Sequence, residues 1–125
     1  MTYQPPTYDL CDIDNWMTHL SNEGYVVINN ILEDHEREEY LAQFKKDWTH
    51  VSPKFDFANK ATWGIEHAPM MYGKGMAVFN GFGNSDFMWN LRLNSNILKI
   101  FKTIYSTDQL AVSMDGFSVF LSKNQ

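Results

Sequence analysis

Apolar residues along this chain recur first with helical spacing, then without period, then with helical spacing again, and finally in short runs. Ile13, Trp16, Met17 and Leu20 share one helical face. Asp12 or Asp14 is placed to cap that helix, and Gly24 suits the left-handed position after its last turn. Tyr25 to Ile28 is a short, nearly continuous apolar run and predicts a buried strand. Asn29-Asn30 then turns the chain. A second and stronger helix is predicted behind Glu33 or Asp34. Its stripe is Tyr40, Leu41, Phe44, Trp48 and Val51, and Pro53 ends it.

Residues 54–83 mix Phe55, Phe57, Trp63, Met70, Met71, Tyr72, Met76 and Phe79 with Gly73, Gly75, Gly81 and Gly83 and show no period. A loop-rich segment with a short helical or strand piece, wrapped over a hydrophobic surface, is expected there. From Gly83 onwards the pattern sharpens. A helical turn leads to Asn94, whose side-chain oxygen suits an N-cap. Ile97, Leu98, Phe101, Ile104 and Tyr105 then fall on one face of an amphipathic helix, which Ser106, Thr107 and Asp108 break. Leu110–Met114 and 117–121 are β-prone runs separated by Asp115-Gly116, a turn signal. Residues 1–11 read as an extended arm, because Pro5-Pro6 disfavours a helix. No internal repeat, low-complexity tract or linker divides residues 1–125, which read as a single domain or as an N-terminal fragment of one.

Composition narrows the function classes. The chain has 125 residues, 44% of them hydrophobic and 15% aromatic, which is ample for a packed core and argues against disorder. The net charge of −5, with Lys and Arg scattered, argues against a nucleic-acid partner. No apolar run approaches membrane-spanning length, and the N-terminus lacks the pattern of a secretory signal. The single cysteine, Cys11, has no internal partner. A soluble, intracellular and cytoplasmic protein is expected.

Several clusters invite a chemical reading, each beside a plainer one. Glu66-His67 is the best local candidate for a metal or acid/base site, and the alternative is a hydrogen-bonded loop histidine. Glu33, Asp34, His35, Glu36 and Glu39 crowd one helix start, where acids also serve capping and the dipole. Trp89 and Arg92 stand one helical turn apart. They fit either the wall of a pocket for an acidic substrate or an arginine stacked on an aromatic ring. Gly73-Lys74-Gly75 and Gly81-Phe82-Gly83 lack the following residues of a phosphate loop.

The order of motifs carries a resemblance. Trp89, Arg92 and Asn94, then Ile97 to Phe101, then Thr107, Asp108, Leu110, Val112, Ser113, Asp115, Gly116 and Phe117 resemble the phytanoyl-CoA dioxygenase family of Fe(II)/2-oxoglutarate oxygenases. The opening Glu23-Gly24-Tyr25-Val26-Val27-Ile28 followed by an acidic helix is similar to that family's helix, strand and long helix. The likeness runs from about Asn15 to Phe120, with a weaker middle. It implies an α+β fold: N-terminal helices and a short strand lead into the first strands of a jelly-roll (a double-stranded β-helix) left incomplete within these residues. It implies Fe(II) and 2-oxoglutarate as cofactors of a complete member, and hydroxylation of a small organic substrate. The iron ligands of such an enzyme are a His-x-Asp/Glu pair and a distant histidine. None of His19, His35, His50 or His67 is followed at the second position by an acid. The resemblance places that pair beyond Gln125, so no catalytic residue is carried over, no metal or cofactor is expected to bind this segment alone, and the chain is expected to be inactive alone. Lys123 is the one weak cofactor-binding candidate, as the counterpart of a lysine that contacts the cosubstrate in some members; the plainer reading is a solvated lysine. His67, Trp89 and Arg92 are the substrate-pocket candidates. A different class of reading also stands: a non-catalytic remnant acting as a binding or assembly module. Exposed strand edges of an incomplete sheet would pair with a partner chain or a second copy.

Overall fold

The structure is a computed structural model describing residues 3–73 and 75–120. It opens with a βαβ unit. Strand β1 (Thr7–Asp9) and strand β2 (Val27–Asn29) pair in parallel, Tyr8 opposite Ile28, and helix α1 (Ile13–Glu23) makes the crossover. Parallel neighbours require such a crossover, and the helix supplies it. The expected arm is therefore partly a strand: Pro5-Pro6 excludes a helix but leaves the residues after it free to pair. Asp12 occupies the N-cap of α1, its carboxylate accepting from the Asn15 amide at 2.8 Å. Gly24 ends the helix at φ +77°, and its N–H donates to the Leu20 carbonyl. Trp16 is fully buried beneath this unit, and its indole N–H donates to the Leu10 carbonyl at 3.4 Å. The strand at Tyr25–Ile28 is not the buried run expected, since Tyr25 and Val27 are exposed and Ile28 half-buried. A two-stranded sheet covers one face only.

Asn30 turns the chain in a left-handed conformation, and helix α2 (Asp34–Val51) follows. Glu33 is its N-cap residue, and the Glu33 N–H donates to Oε2 of Glu36 at 2.9 Å. The same carboxylate accepts through Oε1 from the Asn94 amide at 2.9 Å. Asn94 in turn caps helix α4 (Ser95–Tyr105), accepting from the N–H groups of Asn96 and Ile97. One glutamate thus fastens two helix starts, and Asn96 adds a bond to the Ile31 carbonyl at 2.8 Å. Helix α3 (Asp86–Leu93) lies against α2, with the Asn90 amide donating to Gln43 at 2.8 Å.

The main core is built from parts that carry no common period. Trp48 of α2 is fully buried with Phe55, Ala77 and Phe82. Phe44, Phe57, Trp63 and Phe117 pack around them. Phe82 stacks on Trp48 at 5.8 Å, and Phe44, Phe55 and Phe87 add tilted and edge contacts. Such pairs add to plain area burial. The aperiodic segment also contains a 3-10 turn (Lys60–Thr62) and strand β3 (Met76–Ala77). Strand β4 (Phe117–Ser118) pairs antiparallel with β3, Ala77 opposite Phe117. Gly116 permits this approach, because a Cβ there would stand 1.8 Å from the Ala77 carbonyl oxygen.

Two expectations change here. Leu110–Met114 forms no strand, and β4 pairs with β3 rather than closing a hairpin on it; Asp115-Gly116 is a close crossing of backbones instead of a hairpin turn. Position 121, the end of the second predicted run, lies outside the described residues. The result is a mixed helix and strand fold with two two-stranded sheets among the described residues. No helix among the described residues is long and apolar enough to cross a membrane.

Candidate functional site

The most developed site grows from the junction of α3 and α4. Trp89 and Arg92, one turn apart on α3, stack as their spacing allows, with the guanidinium carbon 5.3 Å from the ring centroid. The Trp89 indole N–H donates to Oδ1 of Asn84 at 2.7 Å, which fixes the ring. Arg92 then reaches in two directions. Nη1 donates to the Gly83 carbonyl at 2.5 Å, and Nη2 donates to the Asp115 carbonyl at 3.0 Å. The stack is present, and Arg92 also acts as a clamp, since it joins the loop before α3 to the segment after α4.

Arg92 also stands at the end of a groove of about 250 Å³. Its floor is the apolar face of α4, where Ile97, Leu98, Phe101 and Tyr105 line up as their spacing predicts. Its wall is Leu110 to Ser113. No residue of α4 is fully buried, so this strongly amphipathic helix is only partly covered. Chemically, the groove is an apolar trough with one positioned guanidinium, of whose five N–H donors two are used. The Ser113 hydroxyl is hydrogen-bonded to the Asp115 carboxylate, and no histidine lines the groove to act as a base.

A second, polar hollow lies between the end of α2 and the start of α3. Asp47, His50, Asn80, Asn84 and Asp86 line it. Sequence reasoning missed this grouping, because α2 and α3 bring together residues from distant stretches with no shared spacing.

The remaining candidates do not converge on either place. His67 occupies a turn in which its N–H donates to the Gly64 carbonyl at 3.0 Å, and its Nδ1 is buried without a hydrogen-bond partner. It lines neither the groove nor the hollow. The acids of 33–39 serve as caps and pairs: Glu36 bonds Glu33 and Asn94, and Arg37 pairs with Asp34 at 3.2 Å. Lys123 lies outside the described residues. Among the described residues no group of three or more His, Cys, Asp or Glu is placed to hold a metal ion.

No protein-family model and no solved structure matches this chain. A curated protein of Aspergillus versicolor, Ava biosynthesis cluster protein O, is 25% identical to it over 112 residues. That match covers 89% of this chain and 36% of the relative, so the chain spans about a third of the length of the curated protein it resembles.

Proposed function

We propose that these residues are the N-terminal portion of a phytanoyl-CoA-dioxygenase-like Fe(II)/2-oxoglutarate oxygenase whose complete form hydroxylates a small organic substrate. The observation that carries this reading is the shape of the match. It runs through nearly all of this chain while taking only 36% of a relative whose name assigns it to a biosynthesis cluster. Room for a metal-binding part outside the matched segment is what the reading needs, given that the described residues offer no metal-holding group. The order Trp89, Arg92, Asn94 and then 107–117 supports the family, and the jelly-roll is part of the same proposal. In it, this segment supplies scaffold and part of the substrate wall, with Arg92 at the end of the α4 groove. The segment alone turns over nothing.

Two measurements test this. Purified chain supplied with Fe(II) and 2-oxoglutarate is expected to form no succinate, and sustained succinate formation would overturn the claim of inactivity. The protein isolated from its source is expected to exceed the mass of 125 residues. Its added sequence is expected to carry His-x-Asp or His-x-Glu, and that protein is expected to form succinate. A native mass equal to that of this chain would sink the oxygenase reading.

A second reading is favoured by one observation. Each sheet has two strands, so every strand has an edge unpaired among the described residues. A non-catalytic binding or assembly module would use such edges for strand addition.

A further inference from the structure

Asn80 and Gly81 form the turn that follows β3, and both are exposed. Both are left-handed, at φ +60° and +73°. Asn and Gly are the types that successive left-handed positions favour, so the turn by itself accounts for the pair. The same pair carries a covalent reactivity, because a glycine N–H has no side chain to shield it from the asparagine amide carbon before it. Among the described residues, neither the Asn80 side chain nor the Gly81 N–H has a hydrogen-bond partner. A Cβ at Gly81 would meet nothing within 4 Å, so the space over this peptide is open to water. Three other places in the sequence put a glycine or serine after an asparagine or aspartate, and the fold closes each of them. Asn84 accepts from Trp89 at 2.7 Å, and the Ser85 N–H donates to the Phe82 carbonyl at 3.2 Å. Asn94, before Ser95, is almost fully buried and caps α4. The Asp115 carboxylate accepts from the Ser113 hydroxyl, and a Cβ at Gly116 would stand 1.8 Å from the Ala77 carbonyl oxygen.

We propose that Asn80-Gly81 is a self-modification site, at which the folded chain converts asparagine to aspartate and isoaspartate with water as the co-reactant. The Gly81 nitrogen attacks Cγ of Asn80. The new N–Cγ bond closes a five-membered imide and the Cγ–Nδ2 bond breaks. The Gly81 proton passes to solvent, and Nδ2 takes a proton from solvent and leaves as ammonia. Water then opens the imide at either carbonyl. Opening at Cγ leaves an ordinary aspartate, and opening at the main-chain carbonyl routes the chain through the side chain as isoaspartate. No oxidant or reductant is needed. The aspartate product adds a carboxylate to a hollow that Asp47 and Asp86 already line. The isoaspartate product adds one atom to the main chain two residues before Phe82, which is buried and stacked on Trp48 at 5.8 Å. A close-packed core has little slack to absorb that shift, so conversion weakens the fold. This proposal is independent of the oxygenase reading, and neither falls with the other.

The test is to incubate the full chain in warm, mildly alkaline buffer, once folded and once in urea. Peptide mass spectrometry and an isoaspartyl methyltransferase assay then follow each site. In the folded chain, residue 80 is expected to gain the mass difference between an amide and an acid, and to become a methyl acceptor. Its conversion relative to Asn84 is expected to be about tenfold higher in the folded chain than in urea, the rate ratio that follows when a hydrogen bond must break before attack. Asp115 is expected to isomerise in urea and not in the folded chain. The urea midpoint of the folded chain is expected to fall as residue 80 converts. Asn80→Gly keeps a residue suited to the left-handed turn and removes the amide. It is expected to abolish the methyl acceptor and to hold the midpoint constant through the incubation. An Asn80 that stays intact in the folded chain while it converts in urea would overturn the proposal. Equal ratios of residue 80 to Asn84 in the two states would overturn it as well, since the fold would then select nothing.

Discussion

Tyr25 shows how a single contact sets a residue's chemistry. Its hydroxyl is 2.5 Å from that of Tyr3, and this hydrogen bond, more than the partial loss of solvent, pushes its pKa up to about 12. A phenol with a raised pKa is held protonated by the fold. Its contribution to stability is therefore complete below about pH 10, the usual tyrosine value, and is lost as pH rises through about 12. Tyrosinate absorbance in an alkaline titration is expected to show one phenol titrating late, and Tyr3→Phe is expected to return it to the ordinary range. A titration unchanged by Tyr3→Phe would refute the assignment. Neither tyrosine is marked in the sequence, because twenty-one residues separate them and the β1–β2 pairing decides how near they come.

At the scale of elements, helix ends carry much of the organisation. Asn94 serves two elements at once, capping α4 with its oxygen and donating its amide to Glu36 at the start of α2. It is almost fully buried, so a lost bond there is not replaced by water. Asn94→Ala is expected to cost about 1–2 kcal/mol, read as a lower urea midpoint. Asn94→Asp keeps the cap acceptor but sets a carboxylate against Glu36, and is expected to lose stability at neutral pH and regain part of it in acid. Equal stability of the alanine variant and the wild type would show that the cap is not used. Half of this arrangement was legible: the Asn94 cap follows from a polar residue just before a periodic run. The Glu36 bond was not, because it joins residues far apart in the chain. The helices themselves were readable from spacing, and α1, α2 and α4 run close to their predicted limits. Strand β1 was not, since three residues after a proline pair carry too little pattern.

The whole molecule rests on an aromatic core whose contributors come from α2, the aperiodic segment, the loop before α3, and β4. Trp48 is its centre, and its indole N–H is buried without a hydrogen-bond partner among surrounding rings. Trp48→Ala empties the middle of the cluster and is expected to cost about 3–5 kcal/mol. That is a large share of the roughly 5–15 kcal/mol available to a typical domain. Trp48→Phe removes the unsatisfied donor along with part of the ring, so it is expected to cost clearly less than Trp48→Ala in the same denaturant titration. Alanine and phenylalanine variants of equal stability would contradict this account of the core. The groove under Arg92 belongs to the same scale, because its floor, wall and charged end come from three separate segments.

Local signals in the sequence determined helices α1, α2 and α4, the Asn94 cap, the position of the loop-rich middle and the one-turn spacing of Trp89 and Arg92. Each depends on residues within a turn or two of one another, where spacing and side-chain type act directly on the backbone. The tertiary structure alone decided that β1 pairs with β2, that β4 crosses to β3 at Gly116, and that Leu110–Met114 has no strand partner among the described residues. It alone decided that Arg92 clamps Asp115, and that Asp47, His50 and Asp86 share a hollow. Those outcomes depend on which distant surfaces meet when the aromatic core closes, and burial of that core is non-directional and leaves no period in the chain.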